Sequence, residues 1–144
     1  MVRENHFSKN ERRRVMKNEV MKVFNTYTEA LSKGDFGEVF KTISDDIIWH
    51  MGGESSLSGV IVGKQALGER LSEFTKRSKG TFRIMINWAA SNDCFVAASV
   101  ISLAERGEEK LKNSGIDLFR IENGKIQEVW TFGELQEEED RFWE

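Results

Sequence analysis

Residues 115–132 read GIDLFRIENGKIQEVWTF, and this stretch decides the fold. Two runs rich in β-branched and aromatic residues flank the dipeptide Asn123-Gly124. Asn-Gly is the strongest short-range hairpin signal, because both residues tolerate a positive φ angle. The sequence therefore predicts a β-hairpin in which residues 116–121 pair with residues 125–132.

The first strand of this hairpin carries a carboxylate among apolar residues. Asp117 lies on the same strand face as Phe119 and Ile121, because side chains alternate between the two faces of a strand. Burying a carboxylate that is ionised and unpaired is very costly. We therefore expect Asp117 to be exposed at a sheet edge, hydrogen-bonded, or kept neutral in a pocket that raises its pKa. The alternative to a functional role is a structural carboxylate bonded to a backbone amide or a lysine.

Size and composition limit the classes of function. With 144 residues we expect one domain, 1–144, in which residues 1–14 form a flexible or partner-docking segment. The net charge of −3 gives no reason to expect nucleic acid as the main partner. The single cysteine, Cys94, suits a reducing compartment, and we see neither a signal peptide nor a membrane-spanning segment. We therefore expect a cytoplasmic protein with no membrane partner.

The spacing of apolar residues predicts helices before the hairpin and strands around it. Helices are predicted over about residues 9–33, 35–43 and 63–78, and strands over 47–51, 60–62, 81–90, 94–104 and 110–121. The acidic tail ends with Phe142 and Trp143, which we expect to dock on the body or on a partner. Helices followed by hairpin-linked strands favour an α+β fold, with a curved sheet that leaves an interior for a small molecule.

Four groups of residues follow an order and spacing that is typical of one superfamily. They are Tyr27-x-x-Ala30-Leu31-x-x-Gly34-Asp35, Asp45-Asp46-Ile47-Ile48-Trp49-His50, Leu57-Ser58-Gly59 with Gly63, and Asn123-Gly124-Lys125-Ile126. In these residues the chain resembles the NTF2-like superfamily, and within it the SnoaL-like relatives of polyketide cyclases and ketosteroid isomerases. The resemblance implies an α+β cone, in which a curved, mainly antiparallel mixed sheet is closed by three helices from the N-terminal side. It leaves the reaction open, because this scaffold hosts isomerases, cyclases, dehydratases, hydrolases and non-catalytic binders.

The resemblance also implies roles for individual residues. Asp117 matches the aspartic acid of the ketosteroid isomerase oxyanion hole and, roughly, the acid/base aspartate of SnoaL-type cyclases. Tyr27 matches the tyrosine of that oxyanion hole, and its alternative is a core tyrosine. Where the isomerase has its general base, this sequence has Met51 or Gly52, neither of which can accept a proton. His50 has the pKa range of a second proton-transfer group, although a regular strand would point it to the opposite face and its alternative role is structural.

These observations predict a small-molecule-binding protein. If it is an enzyme, we expect a cofactor-free isomerase, cyclase or dehydratase that transfers protons on a small apolar carbonyl or phenolic compound. The alternative is a non-catalytic ligand-binding or dimeric assembly module. We expect no metal, because His6, His50 and Cys94 lack ligand spacing, and we expect a homodimer through the sheet face that carries Ile116 and Leu118. The residues expected to contact the ligand are Trp49, Met51, Trp88, Phe119, Trp130 and Phe132.

Overall fold

The computed structural model describes residues 7–144, which form four helices and one six-stranded sheet. In chain order the elements are α1 (Lys9–Ser32), α2 (Phe36–Lys41), β1 (Ile43–Met51), β2 (Gly59–Val62), α3 (Lys64–Ser78), β3 (Arg83–Asn92), β4 (Phe95–Arg106), β5 (Glu109–Glu122), β6 (Lys125–Gly133) and α4 (Gln136–Trp143). The strand order is β2-β1-β6-β5-β4-β3, with β1 and β6 parallel and all other neighbours antiparallel. The sheet is curved and unclosed, as the predicted α+β cone requires.

The hairpin of β5 and β6 confirms the prediction made from the Asn-Gly dipeptide. Asn123 and Gly124 have φ angles of 54° and 73°, the left-handed conformation in which asparagine and glycine are favoured. Glu122 pairs with Lys125 across the turn, and a register shift follows between Arg120 and Ile121. This register places Asp117 of β5 opposite Thr131 of β6.

Helix α1 lies across one face of the sheet, which we call the inner face. Its buried side chains recur at three- and four-residue steps, and Phe24 and Tyr27 among them contact Phe119 of β5. The centroid of the Phe119 ring lies 5.3 Å from that of Phe24 and 5.4 Å from that of Tyr27, both in edge-to-face geometry. Aromatic pairs of this kind add about 0.5–1.5 kcal/mol to the free energy gained by burial. The cluster fixes α1 above the middle of the sheet.

The first strand begins earlier than the sequence predicted. Strand β1 begins at Ile43 instead of residue 47, because a register shift between Ile43 and Ile48 accommodates the polar residues 44–46 within the strand. Helix α1 begins at Lys9, as the spacing of its apolar residues predicted, so residues 9–14 of the segment expected to be flexible or partner-docking are helical. Ser8 caps this helix through a reciprocal pair of hydrogen bonds with Glu11. Residues 1–6 of the same predicted segment lie outside the described residues.

The acidic tail forms α4, a fourth helix in addition to the three that were predicted. Its docking on the body is confirmed, because Phe142 and Trp143 are buried against Phe74 and other apolar side chains. Arg77 donates a hydrogen bond to the Trp143 carbonyl at 2.7 Å, and Arg106 donates one to the Phe142 carbonyl at 2.6 Å. These bonds satisfy carbonyls at the end of the helix, where no intrahelical donor remains. Helix α4 is thereby held against α3 and against strands β4 and β5.

Candidate functional site

A cavity of about 490 Å³ lies between the inner face of the sheet and the helices, which is a size typical of small-molecule sites. Much of its wall is apolar. The apolar side chains in that wall include Leu31, Phe36, Val39, Ile43, Trp49, Leu57, Leu71, Phe74, Phe82, Ile84 and Val100. Carboxyl and amide side chains from β5 and α4 join the same wall, namely Asn113, Asp117, Gln136, Glu139 and Asp140. The cavity therefore offers a ligand both apolar contacts and several polar groups.

Asp117 faces this cavity from the middle of β5. Its side chain lies between Ala98 and Thr131 on the neighbouring strands, and the residue is 6% exposed. Its carboxyl group forms no hydrogen bond or ion pair with any residue from 7 to 144. Burial, and to a smaller extent the charge of Glu139, raises the pKa of Asp117 to about 7. Near neutral pH this group is therefore poised between a proton donor and a carboxylate.

Tyr27 reaches the cavity from α1. The residue is buried, and within residues 7–144 its hydroxyl group has no hydrogen-bond partner. Burial and the nearby charge of Asp117 raise the pKa of Tyr27 far above its ordinary value, so the hydroxyl keeps its proton. Asp117 and Tyr27 thus form a pair of side chains, placed by a strand and a helix, that can both donate hydrogen bonds.

Asn113 and Glu139 connect β5 to α4 at the cavity wall. The side-chain amide of Asn113 donates to Glu139 Oε2 at 2.6 Å, and its Oδ1 accepts from the Leu135 amide at 3.0 Å. Burial raises the pKa of Glu139, and the hydrogen bond from Asn113 opposes that rise. The indole of Trp143 acts on this pKa in the same direction as Asn113. Because that indole lacks hydrogen-bond geometry, we assign the anchoring of Glu139 to Asn113 alone.

The close approach of α4 depends on a glycine in β6. A Cβ atom at Gly133 would lie 2.9 Å from Asn113 Nδ2 and 3.2 Å from Glu139 Oε2. A larger residue would therefore displace the two side chains that join the helix to the sheet. Gly133 pairs with Gly115, so the inner face carries no side chain at this point between Asn113 and Asp117.

Three of the six residues predicted to contact a ligand border the cavity. Trp49 and Met51 do so from β1, whereas Phe132 borders only the margin, because its side chain lies on the opposite face of the sheet, which we call the outer face, and is 56% exposed. Of the other three, Phe119 is buried under α1, where it contacts Phe24.

Trp88 and Trp130 also lie on the outer face of the sheet. Strand alternation explains Trp130, which lies between the inward Val129 and Thr131. Trp88 faces outward because a register shift between Ile86 and Trp88 interrupts the alternation.

His50 also lies on the outer face, so the structure does not bring it to Asp117. Its Nε2 lies 2.7 Å from Glu128 Oε2, and its ring stacks on Trp130 at a centroid distance of 5.2 Å. Glu128 also contacts Arg120 at 3.4 Å. The predicted role of His50 as a second proton-transfer group beside Asp117 is therefore corrected, because the sheet separates the two side chains.

Residues 7–144 provide neither the ligand grouping of a metal site nor a membrane-spanning helix. Within that range no three histidine, cysteine, aspartate or glutamate side chains are grouped so that they could hold a metal ion. None of the described helices is long and apolar enough to cross a membrane.

Sequence reasoning missed Asn113 and Glu139. Asn113 could have been found, because it lies four residues before Asp117 and shares its strand face by alternation. Glu139 gave no signal, since only the docking of α4 distinguishes it from the adjacent acidic residues.

Comparisons with known proteins agree with this architecture. A family model described as the SnoaL-like domain matches residues 24–129. A protein of unknown function with a cystatin-like fold from Xanthomonas campestris is 34% identical, covering 86% of this chain and 97% of its own, with a TM-score of 0.82. An NTF2-like protein from Burkholderia xenovorans is 15% identical, covering 85% and 95% of the two chains, with a TM-score of 0.69.

A structure from Mesorhizobium loti, assigned to the SnoaL-like polyketide cyclases, is 19% identical, with coverage of 78% and 97% and a TM-score of 0.62. Curated proteins gave no significant match. Fold and cavity define a small-molecule-binding domain of the NTF2-like superfamily. Within that superfamily, the chain belongs to the SnoaL-like family. The matched range includes Tyr27, Trp49, Asn113 and Asp117 and excludes α4.

Proposed function

We propose that the protein binds a small, largely apolar carbonyl or phenolic compound in this cavity and transfers protons on it without a cofactor. Asp117 carries the proposal, because it is buried at the cavity wall and has no partner among residues 7–144. In its neutral form it donates a hydrogen bond to the ligand oxygen, and Tyr27 supplies a second donor. Donors fixed in a dry site are usually the largest single term in catalysis. The reaction class is isomerisation, cyclisation or dehydration.

The pH dependence of ligand binding tests this proposal. We choose 2-tetralone as the probe, because it is an apolar bicyclic ketone that does not itself titrate near neutrality. Ionisation of Asp117 replaces a donor with a negative charge facing the ketone oxygen. We therefore expect the 2-tetralone-induced rise in melting temperature to be large at about pH 5.5 and mostly lost at about pH 8.5. In affinity terms we expect a change of about tenfold or more, or about 1.4 kcal/mol.

Two variants make the result specific. In Asp117→Asn the ligand-induced shift should be independent of pH, because the amide does not titrate and keeps a hydrogen-bond donor at both pH values. Asp46→Asn removes the same charge at an exposed position of β1 and should behave as wild type. Tyr27, Glu139 and Asp140 also face Asp117 or its cavity, so the difference between wild type and Asp117→Asn isolates the aspartate. Equal ligand shifts at both pH values in wild type would remove Asp117 from the site.

A second proposal, a homodimer through the outer face, is favoured by a separate observation. The apolar side chains exposed on this face are Val60, Val62, Met85, Trp88, Ile116 and Phe132. Exposed apolar side chains gathered on one sheet face favour an interaction site there. A second copy would cover it with a matching surface, since two-fold dimers use the same patch twice. A monomeric mass in solution at micromolar concentration would contradict this proposal.

The proposed location is the cytoplasm. The single cysteine of the protein, Cys94, is a free thiol, and free thiols persist in reducing compartments. Alkylation of Cys94 in intact cells, compared with the purified protein, would show whether it stays reduced.

A further inference from the structure

Proton transfer on a ketone needs two groups, a donor at the oxygen and an acceptor at the carbon. Asp117 and Tyr27 are the donors in the proposed function. Carboxylates are the natural acceptors, and two others line the cavity, Glu139 and Asp140, both on α4.

Asp140 is already engaged by the protein. Its Oδ1 accepts a hydrogen bond from Gln136 at 2.9 Å, and its Oδ2 accepts one from the Glu54 amide at 2.9 Å. Its oxygens therefore hold the loop after β1 against α4. A carboxylate used in this way is a poor candidate for accepting a substrate proton.

Glu139 has one oxygen fixed and the other without a partner. Asn113 binds Oε2 at 2.6 Å, whereas Oε1 accepts no hydrogen bond from any residue described in the structure. The position of the side chain is also secured from behind, because Trp143 is buried and Arg77 and Arg106 bind the last carbonyls of α4. A carboxylate held by one oxygen and open at the other has the geometry of a general base.

The carboxyl groups of Asp117 and Glu139 differ in whether a hydrogen-bond donor lies beside them, and an acid and a base require such a difference. Asp117 has no donor within residues 7–144 to stabilise its ionised form, whereas Glu139 has the Asn113 amide. The negative charge of Glu139 also favours the proton on Asp117. Burial raises the pKa of both carboxyl groups, and the Asn113 hydrogen bond opposes this rise at Glu139 alone, so it favours the ionised form of Glu139 and not that of Asp117.

We propose that Glu139 is the general base of the cavity, acting with Asp117 as the acid on a ketone that has a hydrogen on the adjacent carbon. This inference rests on the proposed function and adds the missing acceptor. Glu139 Oε1 removes the proton from the carbon, and the C–H electron pair forms the C=C bond of an enol. The C=O π pair moves to the oxygen, which takes up the proton of Asp117. In the return step Glu139 returns the proton to the same or a conjugated carbon, and Asp117 recovers its own. Both side chains regain their first state, so no oxidant, reductant or cofactor is consumed.

Exchange of the protons beside the carbonyl of 2-tetralone for deuterium tests this inference. The exchange is followed by proton NMR in heavy water at about pH 6, and the rate in buffer alone is subtracted. Removal of a general base costs roughly 100-fold to 10,000-fold in rate. We expect Glu139→Gln to lose about 100-fold or more of the catalysed exchange, while Glu138→Gln, a matched change at an exposed position of the same helix, keeps the wild-type rate.

A second variant separates chemistry from structure. Glu139→Asp keeps a carboxylate on a shorter side chain and should retain part of the exchange that the glutamine variant loses. An equal loss in both variants, together with a lower melting temperature, would mean that Glu139 only anchors α4 and would overturn the inference. Wild-type exchange in Glu139→Gln would overturn it as well.

The pH profile and the binding assay supply two further outcomes. Because Glu139 must be ionised and Asp117 protonated, the exchange rate should rise and then fall with pH, with the fall near pH 7 set by Asp117. In Asp117→Asn that fall should vanish. If 2-tetralone raises the melting temperature of wild type but no exchange exceeds the buffer rate, the base role fails and the binding function stands. If 2-tetralone does not bind, the proposed function for this ligand class fails, and the inference fails with it.

Discussion

Asp117 and Glu128 lie on adjacent strands of one sheet, β5 and β6, and face opposite sides of it. Asp117 lies among apolar side chains with no cation or hydrogen-bond donor beside it among the described residues, and burial raises its pKa. Glu128 is contacted by His50 at 2.7 Å and by Arg120 at 3.4 Å, and these partners lower its pKa. The pKa of a carboxyl group is therefore raised on the inner face and lowered on the outer face.

The difference shows what each face can do. A paired, partly exposed carboxylate such as Glu128 has its charge satisfied and is suited to a surface or interface. An unpaired carboxylate in a cavity retains an unmet interaction, which a ligand can satisfy. Strongly shifted pKa values in concave sites are accordingly frequent at functional positions. The difference between the two carboxyl groups supports both proposals, chemistry at the inner face and association at the outer face.

The largest expected effect tests whether the two faces contribute to stability in different ways. Phe119→Ala removes an inward ring that is 1% exposed and contacts both Phe24 and Tyr27. We expect it to lower the free energy of unfolding by about 3–5 kcal/mol, measured by urea denaturation. Trp88→Ala removes an exposed outer ring and should act through dimer formation. Its effect should therefore shrink as the protein concentration falls below the dissociation constant of the wild-type dimer, because dimer formation stabilises the fold by mass action. Equal, concentration-independent losses in both variants would contradict this distinction.

The second effect comes from the raised pKa of Asp117. The folded protein holds this proton up to about pH 7, whereas an unfolded chain releases it near the ordinary value of 3.8. Between these values the folded state binds more protons, so the Asp117 contribution to stability is fully present below the lower value and is lost as pH rises to the higher one. The loss amounts to at most about 4 kcal/mol. Urea unfolding of wild type and Asp117→Asn across this range should show wild type weakening relative to the variant as pH rises.

Other ionisable groups also line the cavity. The difference in stability between wild type and Asp117→Asn at each pH is therefore more informative than the pH dependence of either protein alone. Tyr27 on α1, Glu139 and Asp140 on α4, and Lys33 and Arg83 at the margin are present in both proteins. A pH-independent difference between the two stabilities would show that Asp117 ionises as readily in the fold as in the unfolded chain. That result would remove the main support for its role as an acid.

The fold could be predicted largely from local patterns. The hairpin followed from Asn123-Gly124, and α1 followed from apolar residues at helical spacing, because both signals act within a few residues of the chain. The start of β1 was misplaced because polar residues 44–46 read as a break, whereas a register shift keeps them in the strand. Local patterns describe hydrogen bonding along the chain but not bulges that depend on the neighbouring strand.

The candidate site was only partly accessible to the same reasoning. Asp117 and Tyr27 stood out, because each places a polar group on an apolar face. The predicted role of His50 failed on strand alternation, which the sequence already indicated. Glu139 could not be selected among four acidic residues at positions 137–140, because its position depends on contacts with Asn113 and Gly133 that are distant in sequence.

The smallest expected effect concerns the outer carboxylate and completes the comparison. Glu128→Gln removes the charge that His50 and Arg120 contact but retains the shape of the side chain. Partly exposed ion pairs contribute about 0.2–1 kcal/mol, so we expect a loss of that size in urea unfolding, and less in high salt. The 2-tetralone exchange rate should stay at the wild-type value, in contrast to the large loss expected for Glu139→Gln. If Glu128→Gln instead abolished exchange while the fold remained stable, the outer face would take part in the chemistry, and assigning one role to each face would be wrong.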